Sequence, residues 1–411
     1  EGDCGACLIL VGKWDGNTVS YQPVNSCLLP LGEIEAKHIV TIEGLKNNDL
    51  TPIQAAIVEE GATQCGYCTP GIVLSLTGFF LNSRTLDAAI AALDGNLCRC
   101  TGYQSIKRAA TRLCQTFSRP SEVNVVAWLV EKQILPAYFL QIPERLQKLS
   151  PAKVSHPSAV KVAGGTDLWV QKPAELSHAN LVYLSRRADL RGIRVEQNRC
   201  YVGATTSIED LKNSPIMSAF FPKMPEYFQR IAATPIRHRA TVGGNLVNAS
   251  PIGDLTIFFL ALGAHIILSQ SEMPLKDFFI GYKKLNMHKD ELVKGVSFPR
   301  PAKNAVFNFE KVSKRPHLDI ASVNSAMQIQ IEQGVIQQVH LSAGGVAPIP
   351  LYLSRTVNYL KGKTLNIETI RQAAAIAQSE ISPINDVRGS ADYKRLLLRQ
   401  LIYAHLGTCI K

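Results

Sequence analysis

The hydrophobic pattern divides the 411-residue chain into a strand-rich start, a helical second segment and a mixed remainder. Near the N-terminus, Leu8-Ile9-Leu10-Val11, Thr18-Val19-Ser20-Tyr21 and His38-Ile39-Val40-Thr41-Ile42 are short aliphatic and β-branched runs, the composition of strands. Helical spacing follows. Thr51-Pro52 places a capping residue before a proline at the first helical position, and Ile53, Ala56 and Ile57 follow at intervals suited to one helix face. Thr69-Pro70 repeats that signal for a second helix. Residues 86–93 predict a third helix ending at Gly95, and Thr101 is placed to cap a fourth through Ile106, Ala110 and Leu113. The longest apolar run, 257–264, suits a buried strand or helix. Residues 326–331 and 338–343 predict paired strands, and 367–379 and 391–403 predict amphipathic helices. No stretch of about 18 apolar residues occurs, so the pattern contains no membrane-spanning helix.

A chain of this length exceeds one hydrophobic core and predicts several domains. With 46% apolar and 19% charged residues, it has an ordinary globular composition. The net charge is +11, but Lys and Arg are scattered without aromatic interleaving. That argues against a nucleic-acid partner and for an acidic partner subunit or an anionic cofactor.

Cysteine changes the picture most. Seven of the ten fall in the first hundred residues, in two clusters. Cys4-Gly5-Ala6-Cys7 with the more distant Cys27 follows the plant-type [2Fe–2S] pattern, whose leading cysteine would fall just before Glu1. Residues are therefore expected to precede the chain. The small residues Gly2, Gly5 and Ala6 suit a loop that wraps a cluster and points amides at sulfide. Flanked by short strands, this segment reads as a β-grasp ferredoxin domain; free thiols or a zinc knuckle is the plainer alternative. Cys65-Gly66-Tyr67-Cys68 and Cys98-Arg99-Cys100 place two thiolates at each of two helix junctions. Four thiolates suit two irons or one zinc. The sparse spacing argues for metal thiolates in a reducing cytoplasm rather than a secreted disulfide framework. Cys114, Cys200 and Cys409 are isolated and expected to be buried thiols.

The remainder has no G-x-G-x-x-G dinucleotide fingerprint. Two glycine pairs stand out instead. Ala163-Gly164-Gly165-Thr166-Asp167 follows the apolar run 160–162, and Gly243-Gly244-Asn245 leads into Ser250 and Asp254. Adjacent glycines let backbone amides approach a pyrophosphate, Thr166, Asn245 and Ser250 add hydrogen bonds, and Asp254 suits ribose hydroxyls. A plain loop is the alternative at either pair.

The strings EGDCGAC, TIEGL, QCGYCTPG and NLCRCTGY resemble those of the molybdenum hydroxylase family, over residues 1 to about 118. AGGTDLWV (163–170), GATTSIEDL (203–211) and TPIRHRATVGGNLVNASPIGDL (234–255) are similar to that family's FAD domain. KVSKRPHLDIASV (311–323) is similar to its isoalloxazine loop and SPINDVRGSADYKRLL (382–397) to its C-terminal flavin subdomain. The resemblance implies a multidomain α+β protein. Its parts would be a β-grasp [2Fe–2S] domain (1–44), a four-helix [2Fe–2S] domain (45–118), a linker (119–150), a vanillyl-alcohol-oxidase-like FAD domain (151–305) and a C-terminal α/β subdomain (306–411).

The resemblance also implies roles. Cys65, Cys68, Cys98 and Cys100 would hold the cluster nearer a molybdenum centre, with Gln64 near its pterin. Cys4, Cys7 and Cys27 would hold the cluster nearer the flavin. Ala163, Gly164, Gly165, Thr166 and Asp167 would cradle the FAD phosphates, Gly243, Gly244, Asn245, Ser250 and Asp254 would line the FAD groove, and Lys311, Lys314 and Asp319 would tune the flavin. The order cluster, cluster, flavin looks most like the small-subunit type of bacterial xanthine dehydrogenases. That implies NAD as acceptor, molybdopterin on a large partner subunit and a heterotetramer built as a dimer of heterodimers. The alternatives are the iron–sulfur and flavin subunit of another, aldehyde- or N-heterocycle-oxidising molybdenum hydroxylase, a self-sufficient diaphorase, and a zinc-stabilised, non-redox module.

Overall fold

The computed structural model describes residues 2–121, 123–150, 159–315 and 317–410. Residues 151–158, where the FAD domain is expected to begin, and Pro316 of the 311–323 string lie outside the described residues. The chain divides into two compact units, one of Glu1–Tyr183 with Ala233–Arg239 and one of Leu184–Ala232 with Ala240–Lys411.

The first unit opens with strands β1 (Leu8–Trp14), β2 (Val19–Asn25) and β3 (His38–Val40), an antiparallel sheet of order β2-β1-β3. Alternation along β1 sends Leu8 and Leu10 into the main core of the unit and Ile9 and Val11 to the other face with Val24. Helices α1 (Pro52–Glu59), α2 (Thr69–Asn82), α3 (Leu86–Ala92) and α4 (Gln104–Thr116) lie where the spacing predicts helices. Thr51 and Gln54 complete a capping box at α1, through bonds of 3.3 Å and 2.8 Å, with Pro52 opening the helix. Ile53, Ile72, Leu76, Ile106 and Leu113 join Leu8, Leu10 and Val40 in one core, so residues 1–44 and 45–118 share their hydrophobic interior.

Two local expectations change. Thr101 does not cap α4; Tyr103 precedes the helix in the left-handed conformation, φ +66°, with no side-chain cap. The stretch 119–150 is also more than a linker. It contains α5 (Val125–Glu131) and α6 (Ile142–Gln147), and Leu129, Ile134, Leu135 and Phe139 are buried in the same core. Parallel strands β4 (Val160–Val162) and β5 (Leu181–Tyr183) flank the short helices α7 (Leu168–Gln171) and α8 (Pro173–Ser177).

The second unit contains β6 (Ile193–Glu196), β7 (Arg199–Gly203), α9 (Ile208–Lys212), α10 (Pro215–Phe220) and α11 (Met224–Gln229). The chain then passes through α12 (Thr234–Arg237), which belongs to the first unit. It continues with α13 (Val242–Asn248), α14 (Asp254–Leu260), β8 (His265–Leu268), β9 (Glu272–Pro274), β10 (Phe279–Gly281), β11 (Lys284–Leu285) and β12 (Val293–Pro299). A five-stranded sheet of order β6-β7-β12-β8-β9 packs on a core rich in phenylalanine, including Phe221, Phe228, Phe258, Phe259 and Phe298. The apolar run 257–264 is the buried end of α14 and the turn after it.

Strands β13 (Ala305–Val312), β14 (Val323–Glu332), β15 (Val335–Gly344) and β16 (Leu351–Tyr352) form a second sheet. Gln333 and Gly334, at φ +50° and +79°, make the tight turn between β14 and β15. Helices α15 (Ser354–Leu360), α16 (Ile367–Glu380) and α17 (Ala391–Gly407) cover it, with Ile370, Ala373, Leu398 and Ile402 in the core beside Met327 and Leu341.

Candidate functional site

In the first cysteine loop, Gly5 at φ +69° turns the chain so that its carbonyl accepts from the Leu8 amide at 3.2 Å. The Ser26 amide donates to the Cys7 carbonyl at 3.2 Å, which brings Cys27 against Cys7. Burial, then a hydrogen bond with Cys7, pushes the Cys27 thiol up to about 11. Cys4 is exposed on the same loop.

The second set is built by two turns. Gly66, at φ +83°, bends the chain between Cys65 and Cys68, and Cys68 is the residue before α2. Across from it, the Thr101 hydroxyl lies 3.1 Å from Cys98 Sγ and accepts from the Tyr103 amide at 3.2 Å, while the Tyr103 hydroxyl accepts from the Cys98 amide at 3.1 Å. That local network is why Thr101 is unavailable as a helix cap. Cys65 Sγ and Cys100 Sγ lie 3.5 Å apart, and Cys68 is hydrogen-bonded to Cys98.

Each pair has one easier and one harder thiol to ionise. The Tyr67 amide foremost pulls Cys65 down, while the bond with Cys65 pushes Cys100 up. Burial pushes Cys68 up to about 11; at Cys98 burial is outweighed by the Thr101 hydroxyl and nearby amides, and the thiol is lowered. A metal replaces the protons such pairs hold. At a metal–sulfur bond of about 2.3 Å, two tetrahedral ligands stand about 3.8 Å apart. The Cys65–Cys100 separation of 3.5 Å is close to that bite. No three metal-ligating side chains converge on one point among the described residues. The two neighbouring thiol pairs together offer the four thiolates that a binuclear iron centre takes, and four thiolates also suit one zinc.

The two cysteine loops touch. The Leu97 amide donates to the Cys4 carbonyl at 3.0 Å. A Cβ on Gly71 of α2 would stand 2.2 Å from the Gly5 carbonyl oxygen, and one on Gly5 would stand 2.4 Å from that of Gly95. Asn96, buried between them, donates to Ser75 Oγ at 2.6 Å. These contacts hold the two sulfur sets in neighbouring loops of one unit.

Of the expected flavin residues, 163–167 lie in the first unit, in the turn from β4 to α7. Gly165 has φ +76°, and the amides of Gly164, Gly165 and Thr166 donate to no other group among the described residues. Consecutive unsatisfied amides beside a left-handed glycine form the concavity that binds phosphate oxygens, so this turn fits a dinucleotide's diphosphate.

Gly243, Gly244, Asn245, Ser250 and Asp254 lie in the second unit. Here the Gly243 amide donates to the Ala204 carbonyl at 2.8 Å and the Gly244 amide to Thr241 Oγ1 at 3.1 Å. A Cβ on Gly243 would stand 2.8 Å from that of Ala204. This glycine pair thus serves close packing and helix capping, rather than offering free amides as the sequence suggests. Asn245 Oδ1 accepts from the Thr256 amide and hydroxyl at 3.2 Å and 3.1 Å, and Ser250 Oγ accepts from the Ile252 amide at 3.3 Å.

The Asp254 carboxylate accepts from Lys311 Nζ at 2.8 Å and Asn324 Nδ2 at 2.5 Å. Lys311 also donates to the Arg230 carbonyl at 2.7 Å. Lys314 instead donates to the Val387 carbonyl at 3.1 Å, and Asp319 accepts from the Arg315 amide and Nε at 2.8 Å and 2.6 Å. Only Lys311 of the three expected tuning residues joins the other candidates. Asn324 escaped the sequence reading, although an asparagine inside the apolar start of β14 is a visible signal.

The [2Fe–2S] binding domain model matches residues 41–111, the FAD binding domain in molybdopterin dehydrogenase matches 136–301, and the CO dehydrogenase flavoprotein C-terminal domain matches 309–408. Xanthine dehydrogenase 1 of Arabidopsis thaliana is 27% identical over 95% of this chain and 35% of its own length. Aldehyde oxidase 1 of Bos taurus is 25% identical over 98% of this chain and 36% of its own. The chain thus spans about a third of the length of these curated relatives. The structure of carbon monoxide dehydrogenase from Hydrogenophaga pseudoflava, lacking the Mo-pyranopterin moiety, matches with a TM-score of 0.57 and 28% identity. That match covers 61% of this chain and 88% of the other.

Domain content defines the class first: a chain that joins a [2Fe–2S] binding domain to an FAD binding domain of the molybdopterin dehydrogenase type. With its flavoprotein C-terminal domain, the chain is similar over nearly its whole length to members of the molybdenum hydroxylase family.

Proposed function

We propose that this chain is the electron-transfer subunit of a xanthine dehydrogenase, working beside a large molybdopterin-binding subunit in a heterotetramer. The relatives named xanthine dehydrogenase support the substrate assignment, and the contact between the two cysteine loops is the observation that carries the electron-transfer role. When bound, two [2Fe–2S] clusters would supply one-electron conduction and FAD the conversion to hydride transfer to NAD.

The chain's own residues do the rest. Cys65, Cys68, Cys98 and Cys100 hold one cluster, and Cys4, Cys7 and Cys27 contribute ligands to the other. Amides of 164–166 hold phosphate oxygens, and Asn245, Ser250 and the Lys311–Asp254 pair support the flavin domain. No side-chain acid or base is required.

Purification with the partner subunit tests this. About four irons per chain from two binuclear centres, one FAD, and xanthine-dependent reduction of NAD are expected. A complex that oxidises aldehydes but not xanthine establishes the second reading, favoured by the aldehyde oxidase relative. A colourless protein holding zinc defeats both.

A further inference from the structure

Glu33 closes the short 3-10 turn Leu31–Glu33, just beyond the turn that contains Cys27. Its side chain is 1% exposed, and Oε2 accepts from Arg239 Nη1 at 3.1 Å, with Lys37 Nζ at 3.8 Å. The same guanidinium reaches elsewhere with its other nitrogen: Nη2 donates to the Gly164 carbonyl at 3.0 Å. Arg239 therefore ties the segment carrying Cys27 to the turn with the unsatisfied amides. A second contact joins the same parts, since a Cβ on Gly32 would stand 2.4 Å from the ring of Tyr183, on the strand paired with β4.

The consequence follows from peptide geometry. The Gly164 carbonyl and the Gly165 N–H belong to one planar trans peptide, so they point in opposite directions. Fixing the carbonyl on Arg239 fixes where the Gly165 N–H points. A guanidinium presents its donors in a rigid fork, so Glu33 in turn sets the orientation of Arg239.

We infer that Arg239 is a positioning residue for the diphosphate of a bound dinucleotide: braced by Glu33, it aims the Gly165 N–H outward as a phosphate donor. This rests on the flavin reading above. Arg239 touches no ligand itself; it acts through the peptide plane of residues 164 and 165.

Flavin-depleted protein separates the possibilities. Titration with FAD and, separately, with riboflavin, which has no diphosphate, is compared for wild type, R239M, R239K and E33Q. R239M and E33Q are expected to weaken FAD binding about tenfold, the effect of misaiming one hydrogen-bond donor, while riboflavin affinity and iron content stay at wild-type values. Hydrogen exchange of the flavin-free protein should show faster exchange at the Trp169 and Gln171 amides, which bond back to this turn. R239K keeps the charge but not the fork, and is expected to resemble R239M; it replaces that variant if R239M fails to fold. FAD affinity unchanged in these variants, or FAD and riboflavin weakened equally, overturns the inference. Wild-type protein that takes up no FAD overturns the flavin reading itself.

Discussion

Proton sharing between neighbouring sulfurs is the chemical asset of the helical loops. Cys65 and Cys98 ionise more readily than their partners Cys100 and Cys68, so each pair needs to lose only one reluctant proton when metal arrives. Replacing Cys65 with serine breaks one bite and should cost a whole binuclear centre. Iron is expected to fall from about four to about two per chain, with the spectrum of the other cluster retained; metal analysis with electron paramagnetic resonance checks this. A different buried group governs acid stability. His405 is fully buried 3.0 Å from the Asn308 amide nitrogen, and burial pushes it down to about 4. It stays neutral in the folded protein while the unfolded chain takes up a proton near pH 6.5. Stability is therefore complete above that pH and declines as pH falls toward 4, by up to about 1.4 kcal/mol per pH unit for this one group. His38 and His340, both lowered to about 4 chiefly by burial, add losses of the same sign. Urea midpoints at pH 7.5 and 5 should differ less in His405→Gln than in wild type; an identical pH dependence would contradict the assignment.

Elements whose signals are local were legible, and those fixed by distant partners were not. Thr51-Pro52 and Thr69-Pro70 announce their helices because caps act within one turn. Cysteine spacing announced metal, but C-x2-C and C-x-C do not say which sulfur meets which. The start of α4 was missed because Thr101 is engaged by Cys98 and Tyr103. The helices in 125–147 were missed because their apolar residues acquire meaning only against a core made by earlier segments. The placement of α12 in the first unit was beyond local reading altogether. It depends on Arg237, fully buried, donating to Asp94 Oδ2 at 3.0 Å and to Thr234 Oγ1 at 2.6 Å, and on the Thr234 amide donating to Asp94 Oδ1 at 2.9 Å. Asp94→Ala removes the carboxylate paired with that buried guanidinium and should destabilise the first unit by roughly 3–5 kcal/mol, read as a lower denaturant midpoint. Gly71→Ala places a methyl against the Gly5 carbonyl at the junction of the cysteine loops. Overpacking of that kind costs about 1–3 kcal/mol, and here it should also lower iron occupancy of the N-terminal cluster.

On the scale of the whole molecule, all seven clustered cysteines lie in the first unit, and each unit has its own hydrophobic interior. Chains with several cores do not generally unfold in one step. Metal bound only by the folded form stabilises what it binds, in proportion to the logarithm of its excess over the dissociation constant. Iron should therefore support the unit that supplies its ligands. Calorimetry is expected to resolve more than one transition, and removing iron with a chelator under reducing conditions should lower the transition of the first unit. The transition of the second unit, whose cores are built on phenylalanine-rich packing and the β13–β16 sheet with its helices, should keep its temperature. A chelator that shifted every transition equally would mean that the sulfur loops stabilise the whole chain rather than the unit that carries them.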